Sequence, residues 1–357
     1  MKHIYDIKAG ILSLKTDEKR ATLDRILTFA CRENPKRHFI LVNKLIGRYT
    51  PTSPKLMRQT YNQLAEKIGE GSQTYVVSFA EAATGLGAGV ADSLAHTQND
   101  DVYFQHTTRH KLDEKLWFTV DEEHSHAVNH MFYQPSENLL SFIVKSKRLV
   151  IVDDEITTGR TIKVLLLKIL PYLPDLEEIV VTAIVDLMGE QNYLYELNLD
   201  IPIRYVSLLK ANISLDKDPG FNPQLPKKVN SKISSALCAN DTGRCGLLMP
   251  YKEKIKGIDT SQSTVVIADG EHQYIPFLLA ERLENKGVEV VFQSINRSPI
   301  LLCDAIVNKY KIITVENDTE HYLYNFFPEN KSIFVVSEKN YEGLLFTEQV
   351  KYHEWKC

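Results

Sequence analysis

The sequence predicts an α/β protein with a parallel sheet, built as two domains, and three observations predict it. Apolar runs of strand length alternate with amphipathic runs of helix length along most of the chain. At 357 residues the chain is long enough to bury two cores. Between Lys210 and about Lys256 the alternation dissolves into DKDPGFNPQLPKK and CANDTGRCG, rich in Pro, Gly, Asn and Asp, as a boundary or long crossover would be. The expected division is 1–210, a connecting 211–257, and 258–357.

Taken in order, HFILVNKLI (38–46) is expected as a buried strand and LMRQTYNQLAEKI (56–68) as an amphipathic helix. YVVSFAE (75–81) is a strand running into a turn, and GLGAGVADSLAHT (85–97) the helix that follows it. DVYFQHTTR (101–109) is the next strand. The segment from His110 to about Pro135 is polar and without periodicity, so a long functional loop is expected there, mobile until ligands order it. RLVIVDD is a strand, TIKVLLLKIL a helix and EEIVVTAIVDL a strand; after the boundary, residues 263–301 resume strand, helix, strand.

Composition narrows the partners. Apolar content of 43% and charged content of 25% suit an ordinary globular protein. A net charge of -4 with no dominant basic stripe gives no nucleic-acid footprint. The start lacks the apolar run of a signal peptide, and no later run is long enough to span a bilayer, so no membrane partner is expected. Cys31, Cys238, Cys245, Cys303 and Cys357 are scattered, odd in number and without metal-ligand spacing, which suits a reducing cytoplasm.

The chemistry concentrates in RLVIVDDEITTGRTI, residues 148–162. Ligands of open α/β sheets bind beyond the carboxyl ends of strands, so Asp153 and Asp154 project into a site. Thr157, Thr158, Gly159, Arg160 and Thr161 then form a tight turn opening a helix. Its backbone N–H groups and hydroxyls would hold a phosphate monoester. The two carboxylates cannot serve that same phosphate, since like charges repel. They suit sugar hydroxyls, or a magnesium ion carried by a polyphosphate. Phosphate, sugar and metal-bound diphosphate together describe 5-phosphoribosyl-1-diphosphate (PRPP). IVDDE also opens response-regulator receivers, but those begin with that strand, whereas about 150 residues precede it here and the Thr-Thr-Gly turn interrupts.

This stretch resembles the PRPP-binding motif of type I phosphoribosyltransferases: four apolar residues, two acids, two variable positions, then Thr-Thr-Gly-x-Thr. SFAEAATGLG, YFQHTTRH and EEHSHA resemble the phosphoribosyltransferases of tellurium-resistance gene clusters. NRSP (296–299) is similar to the Thr-Arg-Ser-Pro signature of the TRSP domain that follows them, with Asn296 in place of threonine. The resemblance implies a doubly wound, mainly parallel sheet with a lid, and displacement of diphosphate from PRPP·Mg²⁺ by a nucleobase-like nitrogen. It implies a dimer and diphosphate contacts from Ala80, Glu81, Ala82, Thr84 and Gly85. It also gives Arg109 a part in holding the diphosphate as the lid closes. A non-enzymatic PRPP or nucleotide sensor on the same fold is the alternative. EEHSHAVNH (122–130) is dense in His and Glu: His124 and His126 are candidate lid donors. If the segment were helical, His126 and His130 would share a face, as a metal pair does.

The sequence also echoes itself. VVSFAEAATGLGAGVADSLA before VYFQHTTRH has the layout of VVIADGEHQYIPFLLAERLE before VVFQSINRS. In both, Glu follows the first strand (Glu81, Glu271) and Arg stands four residues after Gln (Arg109, Arg297). Where the first copy continues to IVDDEITTGRT, the second offers IITVENDTEHY, without paired aspartates or the Thr-Gly turn. A degenerate second lobe is expected over 258–340, with Asp269, Glu271, Arg297 and Ser298 forming a second polar site able to take an anionic group.

Overall fold

Strands built from unbroken apolar runs can survive only where both faces are covered, and that requirement organises the sheet carrying the paired aspartates. The computed structural model describes the whole chain except residues 35–36, 98–100, 121–129, 224–241, 253–259, 314–319, 339–349 and 355–357. It divides into two compact units. One comprises Met1–Met57, Ala211–Lys232 and Lys256–Lys356; the other comprises Arg58–Lys210 and Ile233–Ile255. The stretch expected as a connector, 211–257, thus contributes to both: Asn212–Lys217 is a strand of the unit holding Met1–Met57, and Leu247–Met249 a strand of the unit holding Arg58–Lys210.

The Arg58–Lys210 unit contains a six-stranded sheet in the order Ile203–Lys210, Glu178–Asp186, Arg148–Ile156, Thr74–Ser78, Val102–His106, Leu247–Met249. The first five are mutually parallel; the last, at the edge, pairs antiparallel through Leu247 opposite Phe104. Thr74–Ser78 and Val102–His106 are buried throughout. Helix Arg160–Ile169 buries Ile162, Leu165, Leu166 and Ile169, the i, i+3, i+4, i+7 stripe of an amphipathic helix. Helix Thr84–Thr97 is buried on every side from Thr84 to Leu94. It approaches the sheet so closely that a Cβ on Gly87 would stand 2.4 Å from that of Ser78, which only glycine tolerates.

Residues 110–135, expected as one irregular loop, instead include an antiparallel hairpin, Leu116–Val120 with His130–Tyr133. Its apolar content was enough for pairing: Trp117, Phe118 and Phe132 pack on one another, Phe118 lying 5.0 Å from Phe132, and Trp117 and Phe118 also pack on Tyr172. His124 and His126 fall outside the described residues. His130 is a buried strand residue, so the helical pairing with His126 is corrected.

In the other unit, HFILVNKLI yields strand Phe39–Asn43, paired antiparallel with Leu27–Cys31 rather than joining a parallel sheet. Lys2–Ile7, Gly10–Lys15 and Asn212–Lys217 form a three-stranded antiparallel sheet. Four parallel strands follow the order Val290–Ile295, Thr264–Asp269, Ser332–Ser337, Val350–Glu354. IITVENDTEHY does not supply the third of these. It spans the antiparallel hairpin of Lys309–Ile313 with Glu320–Tyr324, and Ser332–Ser337 takes the third-strand place.

At the amino ends of the site-bearing sheet, Arg148 is buried. Its Nε donates to Thr74 Oγ1 (3.1 Å) and its Nη1 to the carbonyls of Gly69 and Glu70 (both 3.0 Å), closing the end of helix Pro54–Ile68. Arg148→Met keeps the apolar stem and removes the donors. It should lower stability by about 2 kcal/mol, since charged donors to carbonyls contribute on that scale. Urea unfolding checks this; an unchanged midpoint contradicts it.

Candidate functional site

The chain leaves strand Thr74–Ser78 towards one side, builds Val102–His106, then returns to the other flank for Arg148–Ile156. Loops diverge at such a reversal and leave a crevice beyond the carboxyl ends of the two central strands. Ser78 is paired with Val152, so the turn after Ser78 starts beside Asp153. The structure therefore brings together the two segments that the sequence singled out.

On the third strand, Asp153, Asp154 and Glu155 are only partly exposed, and Asp154 N donates to Asp153 Oδ1 (3.0 Å). Burial pushes the Asp153 carboxyl well above the usual carboxylate range, and the neighbouring Asp154 charge adds to the effect. The strand runs on to Ile156, after which Thr157, Thr158 and Gly159 turn into helix Arg160–Ile169. Gly159 has φ 76°, a left-handed conformation that would strain other residues, and a Cβ there would meet Leu194 at 3.2 Å. Segment 187–194 braces the turn: Leu187 N donates to Ile156 O (2.8 Å) and Tyr193 N to Thr158 O (3.0 Å). Within the helix, Lys163 N reaches Gly159 O (2.8 Å), so the amides of Arg160, Thr161 and Ile162 stand at the open first turn. The Arg160 guanidinium stacks 4.2 Å over the Tyr193 ring and donates to its hydroxyl. Thr157 is exposed and Thr161 partly exposed.

In the turn after Thr74–Ser78, Phe79 and Ala80 are buried, Glu81 and Ala82 partly exposed, and the Ala80–Glu81 peptide is cis. Thr84 and Gly85 begin the buried helix, Thr84 Oγ1 donating to Glu81 O (3.2 Å).

Arg109 joins this turn through Thr107, which sequence reasoning missed, and through His130, which it had placed in a different role. Its Nη2 lies 3.0 Å from His130 Nε2, and His130 Nδ1 lies 2.8 Å from Thr107 Oγ1. Thr107 Oγ1 accepts from Ala80 N (2.9 Å). A guanidinium only donates, so Nε2 must accept, and the ring proton sits on Nδ1 and is donated to Thr107. The buried His130 is thereby fixed as one tautomer linking Arg109 to the Ala80 turn. No local pattern announces this relay, because Arg109 and His130 are separated by the hairpin.

Residues 26–212 match a family model described as phosphoribosyl transferase, and residues 243–349 match one described as "TRSP domain C terminus to PRTase_2". Among curated proteins none matches the chain. Adenine phosphoribosyltransferase from Rhodothermus marinus is similar over 52% of this chain and 96% of its own, at 18% identity and a TM-score of 0.34. The enzyme from Thermoanaerobacter pseudethanolicus is similar over 54% and 99%, at 16% identity and 0.36. That from Trypanosoma brucei, in complex with AMP, pyrophosphate and ribose-5-phosphate, is similar over 55% and 82%, at 14% and 0.35.

The raised Asp153 pKa has a stability consequence. The folded chain holds this proton to higher pH than the unfolded chain does. Stability therefore falls as pH climbs from roughly 4, the unfolded value, through the raised one, and the loss is complete above it. Asp153→Asn keeps the Oδ1 acceptor and removes the charge. Without ligand, the variant should melt on the order of a few degrees above the parent at neutral pH. The two should coincide below pH about 4. A variant less stable at neutral pH contradicts this assignment.

Proposed function

The chain belongs to the phosphoribosyl transferase family, and we propose that its sheet is the type I fold of such enzymes and that it binds PRPP with magnesium and transfers the 5-phosphoribosyl group to a nucleobase-like nitrogen, releasing diphosphate. One observation carries the reading. The half-buried Asp153–Asp154 pair and the Thr157–Thr161 turn follow one strand, and the Phe79–Ala83 turn follows its paired neighbour. The crevice between them thus has donors for two anionic groups, with carboxylates between. That is the charge pattern of PRPP.

In this reading the open amides of the Arg160–Ile162 turn and the hydroxyls of Thr157, Thr158 and Thr161 take the 5-phosphate. Asp153 and Asp154 accept from the ribose hydroxyls. The backbone from Ala80 to Gly85 and the Arg109 guanidinium take the diphosphate, a planar donor fork being suited to its oxygens. The donor set also fits magnesium: two adjacent carboxylates, one desolvated and raised in pKa, gain from a hard cation nearby. Bound magnesium would neutralise charge on the diphosphate as it departs. No side chain here forms a covalent bond to the sugar. As the anomeric bond breaks, positive charge grows on the sugar ring and negative charge on the leaving group. The aspartates lie beside the first, Arg109 and the turn amides beside the second. Arg109 is aimed by His130, so positioning rather than nucleophilic chemistry supplies the rate. Excluding water protects the oxocarbenium-like sugar from capture.

Mixing the protein with PRPP, magnesium and a panel of nucleobases should release diphosphate. Asp153→Asn with Asp154→Asn should weaken PRPP binding tenfold or more, about 1.4 kcal/mol upward, by calorimetry. Binding should also release protons as Asp153 ionises, seen as a buffer-dependent heat. Unchanged affinity in the double variant, with the fold intact, rejects the proposal.

A further inference from the structure

Two units of this chain share one layout in detail. Thr74–Ser78, helix Thr84–Thr97, Val102–His106, a hairpin and, after the added short helix Glu137–Ile143, Arg148–Ile156 occur in this order in the first. Thr264–Asp269, helix Tyr274–Asn285, Val290–Ile295, a hairpin and Ser332–Ser337 do so in the second. Strand order is the same, with each first strand between its second and third, all parallel. Register is also the same: Thr74 pairs with Val102 and Arg148, Thr264 with Val290 and Ser332.

Counting from these pairs and from the bridges to the hairpins aligns positions whose hydrogen bonds repeat. Gln105 Nε2 donates to Tyr133 O (2.7 Å), and Gln293 Nε2 to Tyr324 O. Leu112 N donates to Tyr133 Oη (2.8 Å), and Ile300 N to Tyr324 Oη (2.9 Å). Thr108 bridges Met131 as Asn296 bridges Tyr322. The edge of each second strand is met by a Gly-Arg pair: His106 N donates to Gly243 O (2.9 Å), and Ser294 N to Gly47 O (2.8 Å). Recurrence of a bare strand–helix–strand unit does not require any of these matches.

We infer that the second unit is a duplicated phosphoribosyltransferase-type lobe whose remaining site takes a diphosphate group with its divalent cation, but not a ribose 5-phosphate. Three positions match the diphosphate half of the first site: Glu271 for Glu81, Arg297 for Arg109 and His321 for His130. Ser298 follows Arg297 as His110 follows Arg109, its carbonyl accepting from Tyr324 Oη (2.6 Å). The sugar half differs. Ser337 and Glu338 stand five and six residues after Ser332, as Asp153 and Asp154 stand after Arg148. The first acid is therefore gone, and the Ser337 hydroxyl donates to Asp269 Oδ2 (2.9 Å) on the first strand. Asp269, Glu271 and His321 are buried and Arg297 partly so. The carboxylates favour a cation; the guanidinium favours the oxygens it carries.

This rests on the diphosphate assignment in the first lobe, and the test separates the two. Full-length protein is titrated calorimetrically with magnesium diphosphate, magnesium ADP and magnesium PRPP. Two diphosphate events per chain and one PRPP event are expected. Arg297→Gln should weaken one diphosphate event roughly tenfold or more and leave PRPP binding unchanged. Arg109→Gln should weaken only the other. ADP binding that Arg297→Gln weakens identifies a nucleoside diphosphate as the source; binding by diphosphate alone identifies the free anion. A single diphosphate event abolished by Arg109→Gln, or a second event indifferent to Arg297→Gln, overturns the inference. Failure of the first-lobe reading appears instead as indifference to Arg109→Gln with the Arg297-dependent event intact.

Discussion

Two adjacent carboxylates stand where a buried parallel strand surfaces, and the rest of the site follows from the cost of keeping them there. The strand supplies the burial: Leu149 to Val152 are without solvent exposure, and the next residue is an acid. Desolvation holds Asp153 towards its protonated form until a partner arrives. Such an arrangement weakens the empty protein and favours whatever brings donors or positive charge. Functional sites accumulate residues whose presence costs stability and whose removal costs activity.

Neighbouring features keep that crevice rigid. Gly87 lets the Thr84–Thr97 helix press against Ser78. Gly159 permits the left-handed turn into the next helix, and the backbone of Leu187 and Tyr193 holds that turn in place. Arg109 is not left to wander, because His130 and Thr107 tie it to the Ala80 amide. A preorganised site needs less ordering when its ligand binds.

The parallel sheet was legible because its strands are short apolar runs ending at turn residues, and the helix bounds agree to within a residue or two. The acids and threonines were legible because a linear stretch carries them. Harder to read were pairings between distant segments. The pairing of Leu116–Val120 with His130–Tyr133 was hidden by the polar sequence between them, although LWFTV and HMFY carry the aromatic residues that pack it. The relay from Arg109 through His130 depends on tertiary approach, and nothing in HTTRH names its partner. The N-terminal strands were passed over because KHIYDI and GILSLK are short and half polar. The internal echo was visible in VYFQ and VVFQ, but its third strand was misplaced because IITVENDTEHY follows the second strand in sequence. Only register shows that Ser332–Ser337 takes the position of Arg148–Ile156.

The claim that the Ile156–Ile162 turn receives the 5-phosphate is the one on which the functional reading stands. Phosphorus NMR of PRPP distinguishes that phosphate from the two phosphorus atoms of the diphosphate. Adding the protein with magnesium should shift or broaden the 5-phosphate resonance in a saturable way. Thr161→Val should diminish that effect while the diphosphate resonances still respond. A 5-phosphate resonance unmoved by saturating protein, with or without a diphosphate response, would contradict the account.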